Sequence, residues 1–209
     1  MHNTKTENKT NYSILLKKYE QLKRRHQKII KRSDNQAKRL FELNQKLKKM
    51  AYIDSMTGIY NRRYFFETAT NMVEFAKREN IPLSLAIIDI DKFKKINDTY
   101  GHDIGDHVIK MLASLIIDMI EANDIFARFG GEEFILMLPE RTLQQAYLFL
   151  EQIREITQEC TVDQKINFTI STGVVEMALE NETLQKAIKR ADLNLYEAKE
   201  QGRNRVIYS

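Results

Sequence analysis

Two pairs of carboxylates interrupt stretches that otherwise read as apolar β-structure. The first closes LSLAIIDID (83–91), where Asp89 and Asp91 stand two residues apart. The second is Glu132-Glu133 in RFGGEEFILML (128–138), directly after Gly130 and Gly131. Core packing has no use for either pair, because adjacent carboxylates repel and resist burial. If the strand end and the hairpin tip lie on neighbouring strands, the acids converge into an oxygen-rich site of the kind that takes Mg2+ or Mn2+. Such ions keep bound water and recruit phosphate oxygens, and two of them together stabilise the attacking and leaving oxygens of a phosphoryl transfer. Spacing alone leaves a plainer reading open, with Asp91 capping the next turn and both glutamates solvated on a hairpin.

Residues just downstream favour the first reading. Lys92-Phe-Lys-Lys-Ile-Asn-Asp98 follows the strand at once, so backbone N–H groups and Lys94 can meet a polyphosphate where a helix begins. Asn97 and Asp106 carry an amide and a carboxylate suited to a guanine edge. A carboxylate accepts from the guanine N1–H and exocyclic amine together, a donor pattern adenine lacks. Turn formation in Asn97-Asp-Thr-Tyr-Gly101 is the competing use of Asn97. His102 and His107 are too isolated to suggest a metal site.

The elements that must position these groups follow from periodicity and breakers. Asn61 is a candidate cap for a helix running to about Asn80, and Pro82 breaks the chain before the strand Leu83–Ile88. Asp106–Ile120 reads as a helix. Ile125–Phe129 and Phe134–Leu138 read as two strands joined at the glycine pair, which is expected to supply the positive φ angles of a tight turn. Thr142–Glu159 is helical in pattern. Strands are expected at Ile166–Ile170 and Val174–Met177 around Ser171-Thr-Gly173, then a helix Glu182–Gln201 ended by Gly202, and a last strand Arg205–Tyr208. The order β-α-β-β-α-β-α-β predicts an α+β domain, a mixed central sheet flanked by helices.

Charge divides the chain. Residues 1–50 carry 15 Lys and Arg against 4 Asp and Glu, whereas the remainder carries 18 against 25. A basic arm therefore precedes an acidic domain. After a polar tail (1–11), residues 12–50 lack Gly and Pro, and a seam recurs at spacings of three and four: Leu15, Tyr19, Leu22, His26, Ile29, Ser33, Gln36, Leu40, Leu43, Leu47, Met50. That register predicts a long N-terminal helix acting as a coiled-coil stalk, best paired as a parallel dimer, with His26, Ser33 and Gln36 weakening its middle. An amphipathic helix packed on its own domain is the simpler alternative. The seam argues against the arm serving nucleic acid, and no partner of that kind is expected. One cysteine, Cys160, excludes an internal disulfide and suits a reducing cytoplasm. No apolar run approaches the ~20 residues of a transmembrane helix, and the first ten residues lack the apolar segment of a secretory signal.

Taken together the motifs resemble the GGDEF family of diguanylate cyclases, over residues 51–209. GGEEF (130–134) is the family signature in its glutamate variant, and around it stand DSMT (54–57), NRR (61–63), DIDKFKKINDTYGHDIGD (89–106), STGV (171–174) and ADLNLYEAKEQGRN (191–204). The resemblance implies a polymerase-palm-like domain, as in nucleotidyl cyclases. It also implies condensation of two GTP into cyclic di-GMP and two pyrophosphates, across two facing domains, with about two divalent ions per site, Mg2+ or Mn2+. By motif, Asp89 and Glu132 would be metal ligands with the Ile90 carbonyl, and Glu133 a third acidic ligand or the group that deprotonates the 3′-OH. Asn97 and Asp106 would bind guanine. Lys94, Lys199 and Arg203 would hold the outer phosphates, cradled by the backbone of Lys92 and Phe93. Asp54 and Arg63 are expected to form a structural ion pair. Where many members place Arg-x-x-Asp as an inhibitory product site, this chain has Glu121 and Asp124, a degenerate version predicted to bind product poorly. A regulatory protein is a further expected partner. The competing reading is a catalytically silent module that binds GTP or docks to a partner; the intact acidic set argues against it.

Overall fold

The computed structural model describes the backbone of residues 3–163 and 166–209, with side chains from Lys17 onward apart from Lys49. The chain divides into two compact units, residues 1–49 and 50–209. Helix α1 (Asn3–Tyr52) continues through the polar start of the sequence. Of the seam, Leu15 lies outside the described side chains. Tyr19, Leu22, Ile29, Leu40, Leu43, Leu47 and Met50 are all exposed in the single chain. Among the described residues no helix is long and apolar enough to cross a bilayer.

The second unit is built on a six-stranded mixed sheet ordered β1-β3-β4-β2-β7-β8. Its strands are β1 (Tyr60–Asn61), β2 (Leu83–Ile90), β3 (Ile125–Arg128), β4 (Glu133–Pro139), β7 (Ile170–Glu176) and β8 (Arg205–Tyr208). A separate small hairpin comprises β5 (Thr161–Val162) and β6 (Ile166–Asn167). β2 is buried along its whole length, as a central strand covered on both faces must be. Its residues alternate between two cores. Ala86, Ile88 and Ile90 join the core that includes α4 (His102–Ile117) and α5 (Leu143–Glu159). Leu83, Leu85 and Ile87 join the one that includes α2 (Arg62–Glu79) and α6 (Leu184–Glu200). Antiparallel pairing of β2 with β4 and β7, and parallel pairing of β1 with β3 and of β7 with β8, give the mixed sheet expected.

Several local expectations are corrected. The glycine pair joins β3 to β4 without a positive φ at either Gly130 or Gly131. Gly130 is small for another reason: a Cβ there would lie 2.7 Å from Glu133 Oε2. Ser171-Thr-Gly173 does not interrupt a strand, because β7 runs straight through it. A Cβ on Gly173 would overlap the backbone of α6 at Ala191 and Leu195, so the glycine lets helix and sheet approach closely. The helix expected from Asp106 begins four residues earlier, at His102, and a separate short helix, α3 (Phe93–Tyr100), precedes it. Asn61 caps α2 as expected, accepting from Tyr64 N at 3.1 Å, and its Nδ2 also donates to Ala51 O at 3.0 Å.

Candidate active site

Asp89 sits at the carboxyl end of β2, 6% exposed, directly opposite Glu133 on β4 and Ser171 on β7. Two carboxylates facing each other across a strand pair repel, so this register sets up a site that requires cations. Ile90 N donates to Glu132 O at 3.4 Å, which ties the signature hairpin to the same strand end. One cation is already present. Lys199, from the last turn of α6, places Nζ 2.9 Å from Asp89 Oδ2. Burial pushes the Asp89 carboxyl up to about 6; Lys199 pulls it down, while Glu132 and Glu133 add to the rise. Both glutamates are therefore close enough for their fields to be felt.

Asp91 plays a different part from the one its spacing suggests. It is buried and accepts from Ser171 Oγ at 2.6 Å, Thr169 Oγ1 at 2.7 Å and Asn204 N at 3.0 Å. Lys92, the next residue, adopts φ 54 as the chain leaves the strand. Arg203 and Asn204 are also left-handed, at φ 69 and 48, so three residues in a costly conformation gather around one carboxylate. Lys92 and Arg203 line the same groove of about 530 Å3, together with Lys95 and Tyr100.

Lys92 is the N-cap of α3 and makes no side-chain capping bond, which leaves the first N–H groups of that helix free of a side-chain acceptor. Phe93 and Asn97 both lie against Gly105 of α4, where a Cβ would meet them. The residue after Gly105 is Asp106, which is half-buried. Asn97 Oδ1 is buried and has no hydrogen-bond partner. An orphaned amide oxygen of this kind calls for a donor from outside the chain, and the N–H edge of a base would satisfy it. Lys94 is exposed on α3 and enters no ion pair among the described residues.

The acid expected to pair with Arg63 is held elsewhere. Arg63 is exposed and bonds Glu67 one turn along α2, at 3.1 Å. Asp54 instead accepts from Arg128 Nη1 at 3.2 Å and from Thr57 N and Oγ1 at 3.0 and 2.7 Å. Burial raises the Asp54 carboxyl, but these hydrogen bonds and the guanidinium outweigh it and leave the group below its ordinary value. Arg128 also donates to Gly131 O at 2.6 Å, so a single guanidinium joins the DSMT turn to the signature hairpin. That role was missed in the sequence, although Arg128 heads the very motif that drew attention to the glutamates.

At the degenerate product site Glu121 does not stand as a bare anion. Arg141 places Nη2 2.7 Å from Glu121 and 3.3 Å from Asp124, and stacks over Phe149 at 4.2 Å. Arg141 thus neutralises both acids from within and is itself engaged by them.

Among the described residues no three His, Cys, Asp or Glu side chains stand close enough to hold an ion unaided. The donor chemistry nonetheless fits a hard divalent cation, since Asp89, Glu132, Glu133 and the Ile90 carbonyl offer oxygen only. Such an ion would complete its shell with water and phosphate oxygens, as Mg2+ commonly does.

The family described as "Diguanylate cyclase, GGDEF domain" matches residues 51–205. Response regulator PleD of Caulobacter vibrioides is 40% identical over 163 residues, which is 76% of this chain and 36% of PleD. The chain therefore spans about a third of that relative's length. The crystal structure of the coiled coil and GGDEF domain of DgcB from Caulobacter crescentus, in complex with c-di-GMP, superposes with a TM-score of 0.81 at 31% identity, covering 85% of this chain and 95% of that one. Diguanylate cyclase SiaD of Pseudomonas aeruginosa, solved with its activator SiaC, gives 0.74 at 33% identity, covering 99% of this chain and 80% of SiaD.

Proposed function

This chain belongs to the GGDEF family, and from that membership we propose that it is a diguanylate cyclase, condensing two GTP into cyclic di-GMP with release of two pyrophosphates. In each half of the reaction a ribose 3′-oxygen forms a bond to the α-phosphorus of the facing nucleotide, the bond from that phosphorus to the β-phosphate oxygen breaks, and pyrophosphate leaves. The observation that carries the reading is the register that sets Glu133 directly across from Asp89 at the end of β2.

Roles follow from position. Asn97 and Asp106 accept from the guanine edge and exclude adenine, which cannot donate in that pattern. The α3 N-terminus at Lys92 and Phe93 offers N–H groups to the outer phosphates, with Lys94, Lys199 and Arg203 supplying charge. Asp89, Glu132, Glu133 and the Ile90 carbonyl are the ligands for divalent metal, Mg2+ or Mn2+, about two ions per site. Bound there, the metal would withdraw charge from the phosphates and lower the pKa of the attacking hydroxyl. Glu133 serves either as the third acidic ligand or as the group that takes the proton of the 3′-OH.

One domain holds one GTP, so turnover needs two. The exposed seam of α1 supports a parallel homodimer that raises the local concentration of the second domain, to the millimolar range for short linkages. SiaD, whose alignment covers 99% of this chain, was solved with its activator SiaC. That supports a regulatory protein as a partner for the present chain. The Arg141 pairing supports weak product inhibition through Glu121 and Asp124. A cytoplasmic location is consistent with a GTP substrate and the lone Cys160.

The test is to incubate the protein with Mg2+ and an equimolar GTP and ATP mixture and identify products by mass. Cyclic di-GMP is expected to dominate, and to fall by about 100-fold or more in Glu133→Ala with the circular dichroism unchanged. A mixed dinucleotide as main product would refute guanine selectivity, and undiminished output from the variant would refute the site.

A further inference from the structure

The Lys199–Asp89 ion pair has a consequence for how metal enters. We infer that Lys199 is an internal stand-in for the divalent cation: it neutralises Asp89 while the site lacks metal, and must leave that carboxylate when metal arrives. The inference rests on the metal-ligand assignment of Asp89 made above.

Lysine and metal compete for a single oxygen. Nζ lies 2.9 Å from Asp89 Oδ2, and the Asp89 side chain is only 9% exposed. A carboxylate buried to that degree, facing Glu133 across the strand pair, needs a compensating charge. Lys199 is the one cation within ion-pair distance of it among the described residues. A divalent ion ligated by the same carboxylate would stand a few ångströms from an ammonium left in place, and the two would repel. One of them must withdraw.

Lysine is suited to withdraw. Its flexible four-carbon stem carries a point charge, in contrast to the planar fork of arginine. The Lys199 side chain is 30% exposed, so it is not enclosed by its neighbours, and it stands at the C-terminus of α6, four residues before Arg203. A triphosphate arriving with its metal would offer the ammonium new oxygens as it loses Asp89. Free metal offers nothing in exchange. Lys199 therefore makes metal entry dependent on nucleotide, and functions as a positioning residue as well as a phosphate contact.

The full chain is titrated with MnCl2 alone, without nucleotide, by calorimetry or by the loss of the free Mn2+ resonance signal. A pH of roughly 8 keeps the ligating carboxylates ionised. Lys199→Met is expected to bind Mn2+ about tenfold more tightly than the unaltered protein, as for removal of a modest competing ion pair, and to bind Mn2+–GTP more weakly. Lys199→Gln, which retains a polar head, is expected to change in the same directions by less, and serves if the methionine variant fails to fold. Equal or weaker Mn2+ affinity in the folded variants overturns the inference. So does tight Mn2+ binding that survives Asp89→Asn in the Lys199→Met background. None of these readouts needs turnover, so a failed cyclase assay and a failed metal titration can be told apart.

Discussion

Asp89 shows at the level of one side chain how a reactive site costs stability. Its carboxyl is raised from an ordinary 3.8 to about 6, chiefly by burial. The folded chain therefore holds a proton that the unfolded chain has already released across that window. Linkage then gives the sign: Asp89 leaves the fold at full stability below about pH 4, and stability is lost as pH rises through 6. Asparagine mimics the protonated form. In chelator, near neutral pH, Asp89→Asn is expected to be more stable by roughly 2 kcal/mol, since a unit of pKa is worth about 1.4 kcal/mol and Lys199 loses its partner. Urea melts at neutral pH and near pH 4 check this, the advantage shrinking towards acid. The same variant is expected to make no cyclic di-GMP. Spacing had offered Asp91 as an equal of Asp89, but its three hydrogen bonds make it a fastener for the loops at Thr169 and Asn204.

At the scale of elements, two glycines that look alike in sequence do different work. Gly173 admits the α6 backbone against β7, and both neighbours are main chain that cannot rotate away. Gly173→Ala is expected to destabilise by several kcal/mol, about 3 or more as for overpacking of a core, read as a loss of melting temperature with activity failing in parallel. Gly130→Ala meets only the end of the Glu133 side chain, which can swing aside. There the fold is expected to survive within about 1 kcal/mol while turnover falls at least tenfold, because the displaced group is the one facing Asp89. Comparing the melting temperature and rate of the two variants separates packing from chemistry. The hairpin itself was legible from Gly-Gly between β-like runs. The reason for its glycines was not, since contact with Glu133 depends on how the loop folds back.

For the whole molecule, the question is what brings two sites together. Seam residues from Tyr19 to Met50 are exposed along α1, and an apolar stripe of that length is unstable in water unless covered. The proposed cover is a second copy, since heptads match their own register. Residues 50–209 alone are expected to show a specific activity that rises with protein concentration, while the full chain shows little such dependence over the same range. Leu40→Lys with Leu43→Lys in the full chain is expected to reproduce the truncated behaviour. Sedimentation and rate measurements on matched dilutions check both, and a concentration-independent truncation would remove the stalk from the account.

Local order determined a great deal. The stalk period, the sheet-forming runs and the Asn61 cap follow from residues close in sequence, where spacing constrains geometry directly, whereas Asp89 meets Glu133 only through the pairing of β2 with β4. What long-range packing alone decided is which partner each charge takes. Arg128 rather than Arg63 binds Asp54, 74 residues away, Lys199 binds Asp89, and Arg141 quiets Glu121. Charges act through space and obey no period along the chain, so their pairing is settled only once the sheet brings distant segments within a few ångströms.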